Sequence, residues 1–471
     1  MTILLCGASG LVGKELCKIF NKNKIPYIGT YNSNKINSSN MFKINFSDYN
    51  AIKNLIIDNN IKVCIFCIVQ RITNICEKKW DEIKNINIDM VHKTSLICNE
   101  LNIRFIHLST DYVFDGSTQP NYPNSDKNPL QNYGISKLVS EFKVIKNCTN
   151  HCIIRTPVLY SDLSKLHNNA VTLIAKKIMD LSISDSQEDN FCIRRPLYIP
   201  DLCKFILDCL DNNRIGIYHF YNPYNKYTKF EILEQMAKLL NLNYSTILPK
   251  NNQIINPSIA PRPYDTQLID DKYDINKYKF TNFIDTLSLC IGKFKHSSLI
   301  NHTDKFFLID LDGTLIDSNL NHYNSYKKVF NKYGKKFLSI EQWNIYVDNN
   351  NFDDYIIETF GNELFTKVKN HKNEEYTKLD IKFTENADKF INYIINNKIN
   401  YSLPKPSKEC YQLALNRYYN KEKYIIGIED TYAGYKSLRN ITDIIYIFKN
   451  KNIFNKEDCY LFDNFDQLLN L

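Results

Sequence analysis

Two short stretches of this chain carry residue types suited to chemistry. The first is Leu108-Ser109-Thr110-Asp111-Tyr112-Val113-Phe114-Asp115-Gly116, which closes the apolar run Phe105-Ile106-His107-Leu108. Its hydroxyls stand where a buried strand should open into a loop. The second is Tyr133-Gly134-Ile135-Ser136-Lys137, whose spacing puts a phenol and an ammonium one helical turn apart on one face. Reduction of a carbonyl by a nicotinamide needs such a set. The tyrosine proton goes to the developing alkoxide, and a nearby cation draws the phenol's pKa of ~10 toward working pH. In a chain with 32 tyrosines, Tyr-x-x-x-Lys alone more often marks an exposed helix face. Its weight comes from Ser109-Thr110 and from the N-terminus.

The elements that must position these groups read as alternating strands and helices. Thr2 to Cys6 is a short apolar strand, followed by Gly7-Ala8-Ser9-Gly10-Leu11-Val12-Gly13 and a helix over Lys14 to Asn21. Gly7 and Gly10 suit a tight turn and close phosphate approach, Gly13 suits close helix packing, and the helix N-terminus suits a pyrophosphate. Ser9, Leu11 and Val12 complete this cofactor loop. The second strand, Pro26 to Thr30, ends without an Asp or Glu for a ribose 2′-hydroxyl. Lys35 beyond it is a partner for a 2′-phosphate or a plain loop lysine, so NADPH is expected, with NADH the alternative.

Helices at Tyr49–Asn59 and Ile86–Leu101 lead to buried runs at Lys62–Val69 and before Ser109, which argues a doubly wound parallel sheet. A strand at Cys152–Tyr160, a helix at Asn169–Met179, a strand at Gly216–Phe220 and an amphipathic helix at Lys229–Leu240 follow. Asp201 reads as a helix N-cap. Cys64-x-x-Cys67 falls within a strand, where positions three apart face opposite ways, and does not suit a metal or redox pair.

Composition narrows the remaining classes. With 471 residues, two or three domains are expected. The net charge of +8 is dispersed, which argues against a nucleic-acid surface. No apolar run reaches membrane length, and nothing resembles a signal peptide. The 14 cysteines are scattered and often apolar in context, so a cytoplasmic (intracellular) chain with reduced thiols is expected.

Residues 1–292 resemble the dTDP-4-dehydrorhamnose reductase family of extended short-chain dehydrogenases. The resemblance rests on Gly7 to Gly13, Ser109 to Gly116, Tyr133 to Leu138 with Glu141, Ile154-Arg155-Thr156, and Pro261-Arg262-Pro263 before Gln267-Leu268. It implies that Thr110 orients a sugar carbonyl, Tyr133 donates the proton, and Lys137 binds the nicotinamide ribose and supports Tyr133. It further implies a nucleotide-linked 4-keto-6-deoxy sugar held mainly by residues 156–292, with Arg262 on a phosphate. Segments 154–174 and 216–242 look more like the regulatory β subunit of methionine adenosyltransferase. That resemblance implies the same fold and NADP site serving a methionine adenosyltransferase catalytic subunit as partner. The oligomeric state stays open, a homodimer being one outcome.

Residues 293–304 read as a polar linker. Beyond it, Lys305 to Ile309 and Asp310-Leu311-Asp312-Gly313-Thr314-Leu315 resemble the haloacid dehalogenase-like phosphatases, as does Glu429-Asp430-Thr431-Tyr432-Ala433-Gly434 after the strand Tyr424–Ile428. The resemblance implies Asp310 as nucleophile, Asp312 as general acid/base, Lys405 on the phosphoryl group of a small molecule, and Mg²⁺ held by Asp310, Asp312, Glu429 and Asp430. Residues 305–471 would form this second α/β domain, with a helical, aromatic-rich cap at about 317–385. The family's Ser/Thr-ending strand is expected to be missing, because Ser402 lies too close to Lys405 for a helix between them. Weak or absent turnover follows from that expectation. The fold class expected for the whole is thus α/β: an NAD(P)-binding Rossmann sheet with a small substrate-binding part, then a haloacid dehalogenase-like domain.

Overall fold

The computed structural model describes all residues except 33–35, 37, 164–165, 181–185, 254–258, 293–304, 311, 317, 349–350, 380–381, 385, 397–399, 403–423, 443 and 469–471. The chain divides into two compact units. The first comprises Met1–Ala175, Asp185–Leu239 and Asn243–Gly292; the second comprises Lys176–Ser184, Leu240–Leu242 and Lys293–Leu471.

In the first unit, β1 (Thr2–Cys6), β2 (Tyr27–Tyr31), β3 (Met41–Lys43), β4 (Ile61–Phe66), β5 (Arg104–Thr110) and β6 (His151–Thr156) are followed by β7 (Leu159–Tyr160), β8 (Ser186–Asp189), β9 (Leu197–Tyr198), β10 (Gly216–His219) and β11 (Ile247–Lys250). Seven of them form one parallel sheet, in the order β10-β6-β5-β4-β1-β2-β3. This is the doubly wound Rossmann arrangement, in which the strand order reverses beside β1. Two small parallel pairs, β7 with β9 and β8 with β11, stand apart from it.

Apolar runs buried on both faces supply two cores. Leu5, Ile65 and Ile106 pack with Leu202 and Phe205 on one face. Leu4, Cys64 and Phe105 pack with Ile97 and Val144 on the other. Three sequence expectations are corrected here. Pro157 has no N–H to give, so the strand read as Cys152–Tyr160 breaks into β6 and β7. The helix read from Asn169 begins at Ile174, because the Asn169 side chain ties the amides of Val171 and Thr172 into a turn. Asp201 is not an N-cap. Tyr198 holds that place, and Asp201 is buried in the first turn, accepting from Thr281 N at 3.0 Å.

In the second unit, β12 (Lys305–Ile309), β13 (Asn400–Ser402), β14 (Tyr424–Glu429), β15 (Ile444–Phe448) and β16 (Tyr460–Phe462) form a parallel sheet in the order β13-β12-β14-β15-β16. The strand expected to be missing is present: β13 pairs with β12, and Ser402 stands opposite Leu308. Three residues suffice for an edge strand, too few to show a period in sequence. Helices Asn319–Lys332, Ile340–Asp348, Phe352–Phe360 and Asn362–Tyr376 enclose an aromatic cluster of Tyr323, Tyr326, Phe330, Phe337, Trp343 and Phe352. Among the described residues, no helix is long and apolar enough to cross a membrane.

Candidate functional site

At the end of β1 the chain turns through Gly7, whose φ of 86° is one that glycine adopts at little cost. Its amide donates to Thr30 Oγ1 at 3.1 Å, so β2 holds the turn. The helix Leu11–Lys22 starts at once, with no acidic residue in its first turn. A Cβ on Gly13 would collide with the carbonyl of Gly7 and with Ala8 Cα, so this helix packs directly on the loop. Gly7, Ser9, Gly10, Leu11 and Val12 line a cavity of about 740 Å³, while Gly13 lies behind them. Thr30, Tyr31 and Asn32 line the same cavity at the tip of β2. Lys35 lies outside the described residues.

The same cavity is lined by Thr110, Tyr133, Lys137 and Arg262. Thr110 is the last residue of β5, and its hydroxyl donates to Asp111 Oδ1 at 3.0 Å. Tyr133 and Lys137 come from the helix Asn132–Asn147. Burial pushes the Tyr133 phenol well above its ordinary value, with the facing Thr110 hydroxyl opposing that rise. Burial pulls Lys137 down to about 8, partly offset by the charge of Glu141. Lys137 Nζ donates to Nε2 of the buried His107, 3.1 Å away. Asn87, in a π-helical turn at Asn85–Asp89, donates to Ser136 Oγ and to the Gln70 carbonyl, both at 3.0 Å. It thereby ties the tyrosine's helix to the loop after β4.

Several lining residues were not singled out from the sequence. Asp111 accepts from Thr266 Oγ1 at 2.5 Å, and burial raises its carboxyl to about 6. Arg194, Lys229 and Arg71 join Arg262 on the cavity wall. Arg194 pairs with Asp189 at 3.2 Å, whereas among the described residues Arg262 meets neutral acceptors, the Ala260 carbonyl at 2.8 Å and Asn74 Oδ1 at 3.3 Å. A usable signal existed for one part of the site. His107 and Ser109 alternate on one face of β5, opposite the inward polar stripe Lys137, Ser140 and Glu141.

In the second unit, carboxylate oxygens of Asp310, Glu429 and Asp430 lie within 4.8 Å of one another. Asp310 follows β12, and Glu429 ends the adjacent β14. Glu429 Oε2 accepts from the amides of Asp430 and Thr431, each at 2.9 Å. Burial first and the Glu429 charge second lift Asp430 to about 8. Asp312, the fourth ligand expected from the sequence, is exposed and stands outside this group of three. Lys405 lies outside the described residues.

A parallel sheet with a glycine loop after its first strand, and a phenol and an ammonium on one cavity wall, make up an extended short-chain dehydrogenase fold. Residues 1–295 match the family described as RmlD substrate binding domain, and the chain belongs to that family. The chain is similar to methionine adenosyltransferase 2 subunit beta of Xenopus tropicalis, with 31% identity over 271 residues, 56% of this chain and 79% of the relative. The Danio rerio protein of the same name is 29% identical over 274 residues, 56% of this chain and 82% of the relative. Among solved structures, a dTDP-4-dehydrorhamnose reductase from Bacillus anthracis in complex with NADP superposes with a TM-score of 0.51 at 20% identity, covering 61% of this chain and 95% of that one. A Thermus thermophilus UDP-glucose 4-epimerase complexed with NAD gives 0.52 at 14% identity, covering 63% and 100%. At these identities the structural likenesses speak to the fold.

Proposed function

We propose that residues 1–292 reduce a nucleotide-linked 4-keto-6-deoxy sugar with NADPH. The observation that carries this reading is the single cavity lined by the glycine loop and by Thr110, Tyr133 and Lys137. Gly7 to Gly13 would hold the pyrophosphate, with the close packing at Gly13 leaving loop amides free to approach it. Bound NADPH would supply hydride. Thr110 would orient the sugar carbonyl, and Tyr133, kept fully protonated by its burial, would give its proton to the carbonyl oxygen. Lys137 would hold ribose hydroxyls, and Arg262 would meet the substrate's phosphates. The test is NADPH oxidation against a panel of 4-keto-6-deoxy nucleotide sugars. NADPH binding without reduction of any member would remove the enzyme reading.

A second reading keeps the nicotinamide site and drops the chemistry. The similarity to subunits named for methionine adenosyltransferase supports it, and it predicts co-purification with a methionine adenosyltransferase catalytic subunit.

For the second unit we propose a haloacid dehalogenase-like phosphoryl site acting on a phosphorylated small molecule, with Mg²⁺ held by Asp310, Glu429 and Asp430. Three carboxylates converging in a buried place repel one another, which favours a cation among them. Asp310 would attack the phosphoryl group, and Asp312 would serve as the acid/base. The register of β13, which sets Ser402 beside Leu308, supports turnover more than the sequence did. Mg²⁺-dependent release of phosphate from sugar phosphates or an aryl phosphate tests it.

A further inference from the structure

Among the described residues, Lys137 has no carboxylate to itself. Its side chain is buried, and Nζ donates to Nε2 of His107, itself fully buried on β5. Glu141, one helical turn on, is already engaged: Arg155 binds both its oxygens, and Ser109 donates to Oε1 at 2.5 Å. Cys67, just after β4, also faces the lysine, and its thiol is pushed up to about 12 by burial. The ammonium therefore depends on a neutral acceptor.

The imidazole has two ways to carry its one proton. Ser140 Oγ lies 3.0 Å from the same Nε2 and donates its own proton to the Lys137 carbonyl at 2.7 Å. Ser140 therefore offers Nε2 only a lone pair. A protonated Nε2 would satisfy Ser140 but would aim a hydrogen at the ammonium. A bare Nε2 serves the ammonium and puts the proton on Nδ1, which is buried and has no hydrogen-bond partner among the described residues. A hydrogen bond from a charged donor is about twice as strong as one between neutral groups, so the bare Nε2 prevails while the lysine is charged.

The geometry points to His107 as the positioning residue for Lys137, anchoring the ammonium at the cavity wall through a bare Nε2 whose tautomer follows the lysine's charge. This deepens the reductase reading and rests on it for the role of Lys137. The groups facing the lysine are His107 from β5, Cys67 after β4 and Glu141 from its own helix, with Arg155 of β6 behind Glu141; Tyr133, one turn earlier on that helix, lines the same cavity.

The test uses the full chain with ¹⁵N-labelled histidine, followed by long-range imidazole NMR, with the His107 signal assigned by its loss in His107→Gln. At neutral pH the ring should be protonated on Nδ1. Raising the pH should move the proton to Nε2 with a midpoint near 8, where Lys137 loses its charge. Lys137→Met should hold it on Nε2 throughout. A ring protonated on Nε2 at neutral pH, a doubly protonated ring, or a tautomer indifferent to pH overturns the inference. NADPH affinity, read by its fluorescence, should fall about tenfold in His107→Leu and be rescued in His107→Gln, which keeps an acceptor. If NADPH fails to bind the unaltered protein, the reductase reading falls and the tautomer result still stands or fails alone.

Discussion

Glu141 and Arg155 form a buried ion pair, with Arg155 Nη2 2.7 Å from Glu141 Oε2 and both side chains 1% exposed. It joins the helix that carries Tyr133 to β6, and it passes through Ser109 to β5. Removing one partner leaves an uncompensated charge in the core. Glu141→Gln and Arg155→Met should each lower unfolding free energy by about 3–5 kcal/mol, with the double variant losing less than their sum. Urea denaturation of the three variants measures this.

Tyr133→Phe removes the proposed proton donor and keeps the ring beside Tyr112. Turnover of a keto sugar should fall on the order of a hundredfold or more, with NADPH affinity nearly unchanged. A loss confined to KM would assign Tyr133 to substrate binding instead.

Cofactor choice should favour the 2′-phosphate. Thr30, Tyr31 and Asn32 put no acid at the tip of β2. NADPH should bind more tightly than NADH, and added salt should narrow the difference by screening the cations near that phosphate. Equal affinities at low salt would leave no role for Lys35.

Asp111 should impose a pH dependence on stability. Its ordinary value of 3.8 rises to about 6 in the fold, because burial outweighs the hydroxyls of Thr266 and Thr110. The folded state therefore holds this proton after the unfolded chain has released it. The stability this contributes is present below pH 3.8 and is lost as pH rises through 6. Wild type should lose ground to Asp111→Asn between those limits, by up to about 3 kcal/mol. Denaturation at a series of pH values reads the difference directly.

Mg²⁺ should raise the melting temperature of the second unit's transition, and Asp310→Asn should reduce that gain and abolish any phosphate release. Differential scanning calorimetry with and without the metal separates the two effects. Phosphate release that survives Asp310→Asn would place the nucleophile elsewhere.

The first unit's sheet was legible because its long central strands are contiguous apolar runs punctuated by glycine or polar loops. The glycine loop and the Tyr133–Lys137 spacing were legible because each is local. His107 behind Lys137, and Asp111, Arg194 and Lys229 on the cavity wall, were not, since what brings each into place is the meeting of segments distant in sequence. Asp201 and Asn169 misled for a related reason: each side chain bonds backbone amides in a way that only the folded chain reveals. β13 escaped notice by being three residues long.

Every strand in both main sheets is parallel, so each sheet has a rim where strands end and a rim where they begin. Gly7, Tyr31, Cys67, Thr110 and Thr156 stand on or just past the first unit's ending rim, and all line the cavity. Its beginning rim is stapled differently: Arg104, at the start of β5, donates to the carbonyls of Cys209 and Arg214. The cavity lining and this staple thus draw on different residues. A lineage can shed or exchange its chemistry at one rim while inheriting the other unchanged, so catalysts and binding subunits can descend from the same sheet.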